Sequence, residues 1–291
     1  MRGFKVTAFE GTADWLGHVW VIVIFSHSIQ LPPLRTTAIV RAMKDLFIAD
    51  AHLTHPDEAA YRHLVEFLDQ QRGHVRTLVL LGDIFEFWVG YNHCVFSAYL
   101  PLLNALQQLH AAGTHIVMVE GNHDFHVGPF FSETLKATIF PDDGTLTLDG
   151  QTIALSHGDT LVPTRSYLWL RRFFRSIIAR TLIRVLPSDL TWKIGDVLGV
   201  LSKKKSRQHP QRSYQLPEQA ILSQARLRLD QGADLFICGH FHQPKCWQHQ
   251  GKPIAIIGNW GQTCHYGQLR DGQFSLECYT PTSAAPADTS L

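Results

Sequence analysis

The chain has 291 residues, enough for one large domain or two small ones, and its 45% hydrophobic and 18% charged residues are ordinary for a soluble globular protein. A formal net charge of +1 argues against nucleic acid as a partner. Five cysteines without a CxxC pair argue against a disulfide framework or a zinc ribbon and fit a reducing cytosol, and no apolar run is long enough to span a bilayer.

Val19 to Phe25 is a short apolar run without the basic lead-in or small-residue cleavage site of a signal peptide. Met43 then opens Lys44-Asp45-Leu46-Phe47-Ile48-Ala49, which reads as a natural start, so residues 1–42 are expected to be an extension outside the fold. Leu46–Ala49 is a short apolar strand, and Asp57–Gln71 has helical spacing ended by Gly73. Thr77–Leu81 reads as a buried strand, Tyr99–Ala111 as a helix closed by Gly113, and Ile116–Glu120 as a third strand. Thr145–Leu148 and Thr152–Ser156 flank Asp149-Gly150, a strong hairpin signal. Asp234–Cys238 is another buried strand, followed by Ile254–Ile257 and two strands around Asp271-Gly272. The tail from Pro281 to Leu291 is small and polar and is expected to be disordered. Apolar strands alternating with helices imply parallel strands covered on both faces, and the later hairpins imply a second, more antiparallel sheet. The expected architecture is α/β, a four-layer αββα sandwich.

Five strand ends carry side chains of metal-ligand type: Asp50-Ala51-His52, Gly82-Asp83, Gly121-Asn122-His123-Asp124, His157-Gly158-Asp159 and Gly239-His240-Phe241-His242. Each alone is weak, because Asp and Gly are common in turns and a lone histidine is more often structural. Their recurrence in one chain of 17 histidines, with glycines beside four of the five sets, is what points to metal chemistry.

These blocks, in this order, resemble the signature of the calcineurin-like metallophosphoesterase superfamily. The resemblance implies one metal held by Asp50, His52, Asp83 and His242 and a second by Asp83, Asn122, His157 and His240, with Asp83 bridging. Two dications about 3.5–4 Å apart need such a shared anion, and together they activate water for in-line attack on phosphorus. Manganese is the first expectation, with iron and zinc as alternatives. In the family, the position of His123 approaches the substrate as a general acid, and Asp124 orients it.

A narrower resemblance is to the UDP-2,3-diacylglucosamine diphosphatases of lipid A synthesis. It rests on Gly82-Asp83-Ile84-Phe85-Glu86-Phe87-Trp88-Val89-Gly90, on Phe125, and on His157-Gly158-Asp159-Thr160-Leu161. That family carries Arg where His123 stands, paired aspartates where this chain has Pro163-Thr164-Arg165, and Thr where Phe241 stands. Between the fourth and fifth blocks, Arg165 to Arg212 holds twelve of the 26 Lys and Arg but only Asp189 and Asp196 among the acids. There, Leu170, Phe173, Phe174, Ile177, Ile178 and Val185 fall on one helical arc, and Arg171, Arg172 and Arg175 on another. One reading is a buried helix with a solvated basic face. The other is a helical cap, at about 163–212 within a domain of residues 43–280, that shelters acyl chains and meets an anionic membrane surface.

Asn122, His123, Arg165, Ser202, Lys203, Arg207 and His240 are the expected substrate contacts. The resemblance thus implies a cytoplasmic enzyme, peripheral on the inner membrane, that cleaves a lipid-linked nucleotide diphosphate. Its rivals are a phosphoesterase acting on another nucleotide, lipid or phosphoprotein, and a metal-binding scaffold without catalysis.

Overall fold

A computed structural model of the chain describes residues 43–195, 197 and 216–281. The readings of residues 1–42, of Ser202 to Arg207 and of the tail past Pro281 lie outside the described residues.

Two mixed sheets form the centre. The first has six strands in the order β11-β10-β1-β2-β3-β4, namely Gln273–Cys278, His265–Arg270, Lys44–Ile48, Val75–Leu80, His115–Val119 and Thr138–Phe140. The second runs β5-β6-β7-β9-β8, namely Gly144–Leu148, Gln151–Ser156, Leu235–Cys238, Lys252–Ile256 and Lys245–His249. Strands β1 to β4 are parallel, as are β6, β7 and β9. The difference in character expected between the sheets is small, because the β10–β11 hairpin pairs antiparallel with β1 and joins the first sheet. Three hairpin turns carry left-handed residue pairs, Asp149-Gly150, Gln250-Gly251 and Asp271-Gly272, with φ of 49° and 76°, 51° and 78°, 50° and 74°.

The alternation of the strands sorts their apolar residues into separate cores. Phe47, Ala49, Val79, Leu81, Val117 and Val119 meet Ile153, Leu155, Leu235 and Ile237 between the sheets. Leu46, Ile48, Leu78, Leu80, Ile116 and Met118 face the other way, against helices α1 (Ala59–Gln70) and α2 (Leu100–Ala111). Outside the second sheet, Phe236, Cys238, Ile254 and Ile256 pack on Ile221, Ala225 and Leu229 of a helix at Glu218–Asp230. The result is four layers, αββα. At the amino ends of β1 and β2, Arg76 pairs with the fully buried Asp45 and reaches Asp149 of the β5–β6 turn. Both sheets are clasped there by one guanidinium.

The cap begins with α3 (Arg165–Phe174) and α4 (Ile177–Val185). Thr164 and Ser176 cap them, each hydroxyl accepting the N–H three residues on. A further helix, α5, covers residues 188–195. Of the basic arc Arg172 is exposed, but Arg171 and Arg175 turn inward to acids and carbonyls at the strand ends. Arg171 bonds Asp159 at 3.0 Å and Asp142 at 2.6 Å, while Arg175 bonds Glu120 at 3.3 Å and the carbonyl of Gly121 at 3.3 Å. Most of the apolar arc faces outward: Leu170, Phe173, Ile177, Ile178 and Val185 are exposed, Ile177 by 81%, whereas Phe174 turns inward and packs 5.5 Å from the ring of Phe125. That overturns the buried-helix reading. On its other side the cap rests on Trp192, whose ring lies 4.9 Å from that of Phe96, and on a 2.6 Å bond from Tyr91 Oη to Thr191.

Candidate metal centre

The ladder between β1 and β2 continues past both strands. Asp50 N–H donates to the Gly82 carbonyl at 3.1 Å and His52 N–H to the Asp83 carbonyl at 2.9 Å, so the first two blocks lie side by side. Asp83 Oδ1 then accepts from the N–H groups of Asn122 and His123, both at 2.9 Å, and draws in the third. Such close approach excludes side chains. A Cβ on Gly82 would stand 2.6 Å from His157 Nδ1, and one on Gly121 would stand 2.2 Å from Asp83 Oδ1. From the second sheet, the His240 N–H donates to Asp50 Oδ2 at 2.7 Å. Asp50, His52, Asp83, His240 and His242 all have positive φ, between 46° and 70°. For non-glycine residues that conformation costs on the order of 1 kcal/mol each, and its clustering marks a working site.

The structure brings all seven donors together. Asp50, His52 and His242 form one group of neighbouring donor atoms, and Asp83, His157 and His240 another. A third group joins His52 and Asp83 to His123. Asn122 Oδ1 lies 3.2 Å from His157 Nε2, and Asp83 Oδ2 lies 3.4 Å from the same nitrogen and 3.8 Å from His52 Nε2. Asp83, itself buried, sits between the two sides.

The sequence model of calcineurin-like phosphoesterases matches residues 43–244. The chain belongs to that family. It is 29% identical over 237 residues to the UDP-2,3-diacylglucosamine hydrolase of Pseudomonas entomophila, covering 79% of this chain and 97% of the relative. The protein of the same name from Ralstonia nicotianae is 30% identical over 224 residues, covering 74% of this chain and 82% of its own. A solved archaeal phosphodiesterase shares 12% identity at a TM-score of 0.44, over 81% of this chain and 100% of its own.

The donor set of this calcineurin-like phosphoesterase fits divalent cations. Asp50 Oδ1 is buried and, among the described residues, has no hydrogen-bond partner, its nearest ionic neighbour being His242 Nε2 at 3.4 Å. His157 donates through Nδ1 to the Leu81 carbonyl at 2.8 Å, which aims Nε2 at Asn122 Oδ1 and Asp83 Oδ2. His52 Nε2 and His242 Nε2 face each other at 3.2 Å. Nitrogen and carboxylate donors packed this closely form a set that a divalent cation would satisfy.

Charge coupling is strong here. Burial would raise the Asp83 pKa, yet His157, His123 and His52 together hold it well below the usual carboxylate range. Burial would lower His157, but Asp83 outweighs it and pushes the ring up to about 10. His240 goes the other way, down to about 4, through burial and the charge of His157. Asp124 is pushed up to about 7 by burial and by Asp83, its backbone donors opposing.

The orienting contact expected from Asp124 to His123 is replaced by another. Asp124 is fully buried and accepts from three backbone N–H groups, those of Asp83 and Gly121 at 2.9 Å and Ile84 at 2.7 Å. It clamps two loops together. The His123 ring is held instead by a 2.7 Å bond from Nδ1 to the Glu86 carbonyl, which leaves Nε2 facing the pocket, 4.0 Å from Asp83 Oδ2.

Arg165 is exposed at the start of α3, whereas Arg171 within that helix and Arg175 just past its end reach the strand-end loops. Sequence reasoning missed Asn259, whose Oδ1 caps a short helix (Trp260–Thr263) and whose Nδ2 lies 3.0 Å from His242 Nδ1. An asparagine three residues past a strand gives no signal of its own.

Proposed function

We propose that this phosphoesterase hydrolyses the diphosphate of UDP-2,3-diacylglucosamine, giving UMP and 2,3-diacylglucosamine 1-phosphate, while resting on an anionic membrane surface. One observation carries the reading. The seven donors converge on Asp83 beside cap helices that are pinned to the Asn122 and His157 loops and turn an apolar side outward. A diacylated nucleotide sugar calls for both a phosphate-binding centre and an apolar cover, and the two bacterial hydrolases named above carry that substrate in their names. Among the described residues no helix is long and apolar enough to cross a membrane, so attachment through the cap is the route proposed.

Asp50, His52, Asp83 and His242 would hold one cation, and Asp83, Asn122, His157 and His240 the other, manganese being the first choice. Bound there, the cations supply polarisation of the attacking water and of the phosphate oxygens. Asp83 keeps its charge against burial and holds the Asn122–His123 backbone through Oδ1. His123 presents Nε2 to the pocket as general acid for the departing oxygen. Burial lowers its pKa but Asp83 and the Glu86 carbonyl raise it overall, which favours the protonated ring that role needs. Incubating the purified protein and Mn2+ with UDP-2,3-diacylglucosamine should release UMP. Turnover confined to small water-soluble diphosphates would reject the reading.

A further inference from the structure

We infer that Glu86 is a positioning residue that fixes the ring of His52 for cation binding. The inference rests on the two-cation reading of the site. Glu86 Oε2 lies 3.5 Å from His52 Nδ1, and the two side chains are 11% and 20% exposed. An imidazole that ligates through Nε2 must carry its proton on Nδ1, and an anion opposite Nδ1 selects that tautomer and locks the ring plane. His52 Nε2 is thereby turned inward, 3.2 Å from His242 Nε2 and 3.8 Å from Asp83 Oδ2.

The position of Glu86 is set by backbone. Its N–H donates to the Leu53 carbonyl at 3.0 Å, one step beyond the Leu53–Phe85 bridge, and its own carbonyl receives His123 Nδ1 at 2.7 Å. Two rings of the site therefore hang from one residue, His52 from the carboxylate and His123 from the carbonyl. A side-chain substitution separates them, releasing His52 and leaving the partner of His123 in place.

The test is a titration of the metal-stripped full chain with Mn2+ alone, read by calorimetry and by the Mn2+ paramagnetic resonance signal. Glu86→Ala should weaken one of two binding events by about 10–100-fold and leave the other unchanged, with Glu86→Gln falling between because its amide oxygen can still face Nδ1. The melting temperature of the metal-free form should stay near that of the parent. Unchanged affinity for both ions in Glu86→Ala would overturn the inference, as would loss of both ions with a fall in metal-free melting, which marks a purely structural role. A parent chain that binds no pair of Mn2+ ions would overturn the two-cation reading itself. Catalytic failure on UDP-2,3-diacylglucosamine with both ions bound would leave Glu86's role standing.

Discussion

Arg175, the residue that follows helix α3, reaches Glu120, the residue that follows β3, with Nη1 3.3 Å from Oε2. It also donates to the carbonyls of Pro141 and Gly121. Glu120 is buried, and burial raises its pKa against the pull of Arg175. Arg175→Ala should destabilise the fold by roughly 1–3 kcal/mol, since a buried carboxylate loses its cation. Arg175→Lys should recover little of it, because an ammonium cannot span three acceptors set around a planar fork. Denaturant unfolding, with hydrogen exchange on α3, checks both.

Asp159 gives the cap an acid-sensitive lock. Burial raises its pKa, but His157, Tyr167 and Arg171 outweigh burial and hold it below the ordinary value. A depressed carboxylate contributes stability above its unfolded pKa of about 4 and loses it as the pH falls through the lower folded value. Proteolytic cutting within 165–185 should rise as the pH drops below about 4. In Asp159→Asn the cutting should already be raised at neutral pH and should vary less with acid.

Variants of Asp83 and His123 should separate cation binding from turnover. Asp83→Asn keeps an acceptor for the two backbone N–H groups at Oδ1, so the fold should persist while both cations are lost with activity. His123→Ala should retain the metal, counted by atomic absorption, and cut turnover by on the order of 10²–10⁴. Equal metal loss in the two variants would contradict this division.

The outward arc of α4 makes a membrane prediction. Replacing Ile177 and Ile178 together by Asp should abolish sedimentation with vesicles rich in anionic lipid and leave melting nearly unchanged, because both side chains are exposed. Binding equal to the parent would remove the cap from the membrane.

The gathered residues were legible in the sequence because each belongs to a block of two to four residues at a strand end, and the apolar runs before them place those ends. The α1 and α2 helices and the Asp-Gly hairpins followed from local chemistry in the same way. Strands β4 and β8 did not: one is three residues long, and the other, Lys-Cys-Trp-Gln-His, is an edge strand without an apolar face. Helical periodicity showed that α3 and α4 have two faces but not which one turns inward. That was decided by Glu120, Asp142 and Asp159, which lie 12 to 55 residues from their arginine partners. Glu86 and Asn259 act through a carbonyl, a helix cap and a ring nitrogen across the fold, and none of these has a local pattern.

Asp50, His52, Asp83 and Asn122 follow strands of the six-stranded sheet, whereas His157, His240 and His242 follow strands of the five-stranded one. Neither sheet carries the whole proposed ligand set. Ions held as proposed would rivet the two sheets, complementing the Arg76 clasp at the far end, so loading the centre and docking the two halves of the sandwich would become one thermodynamic event. Chelation should then lower the unfolding temperature as well as stop turnover, and a fragment containing only one sheet should bind metal poorly however well it folds.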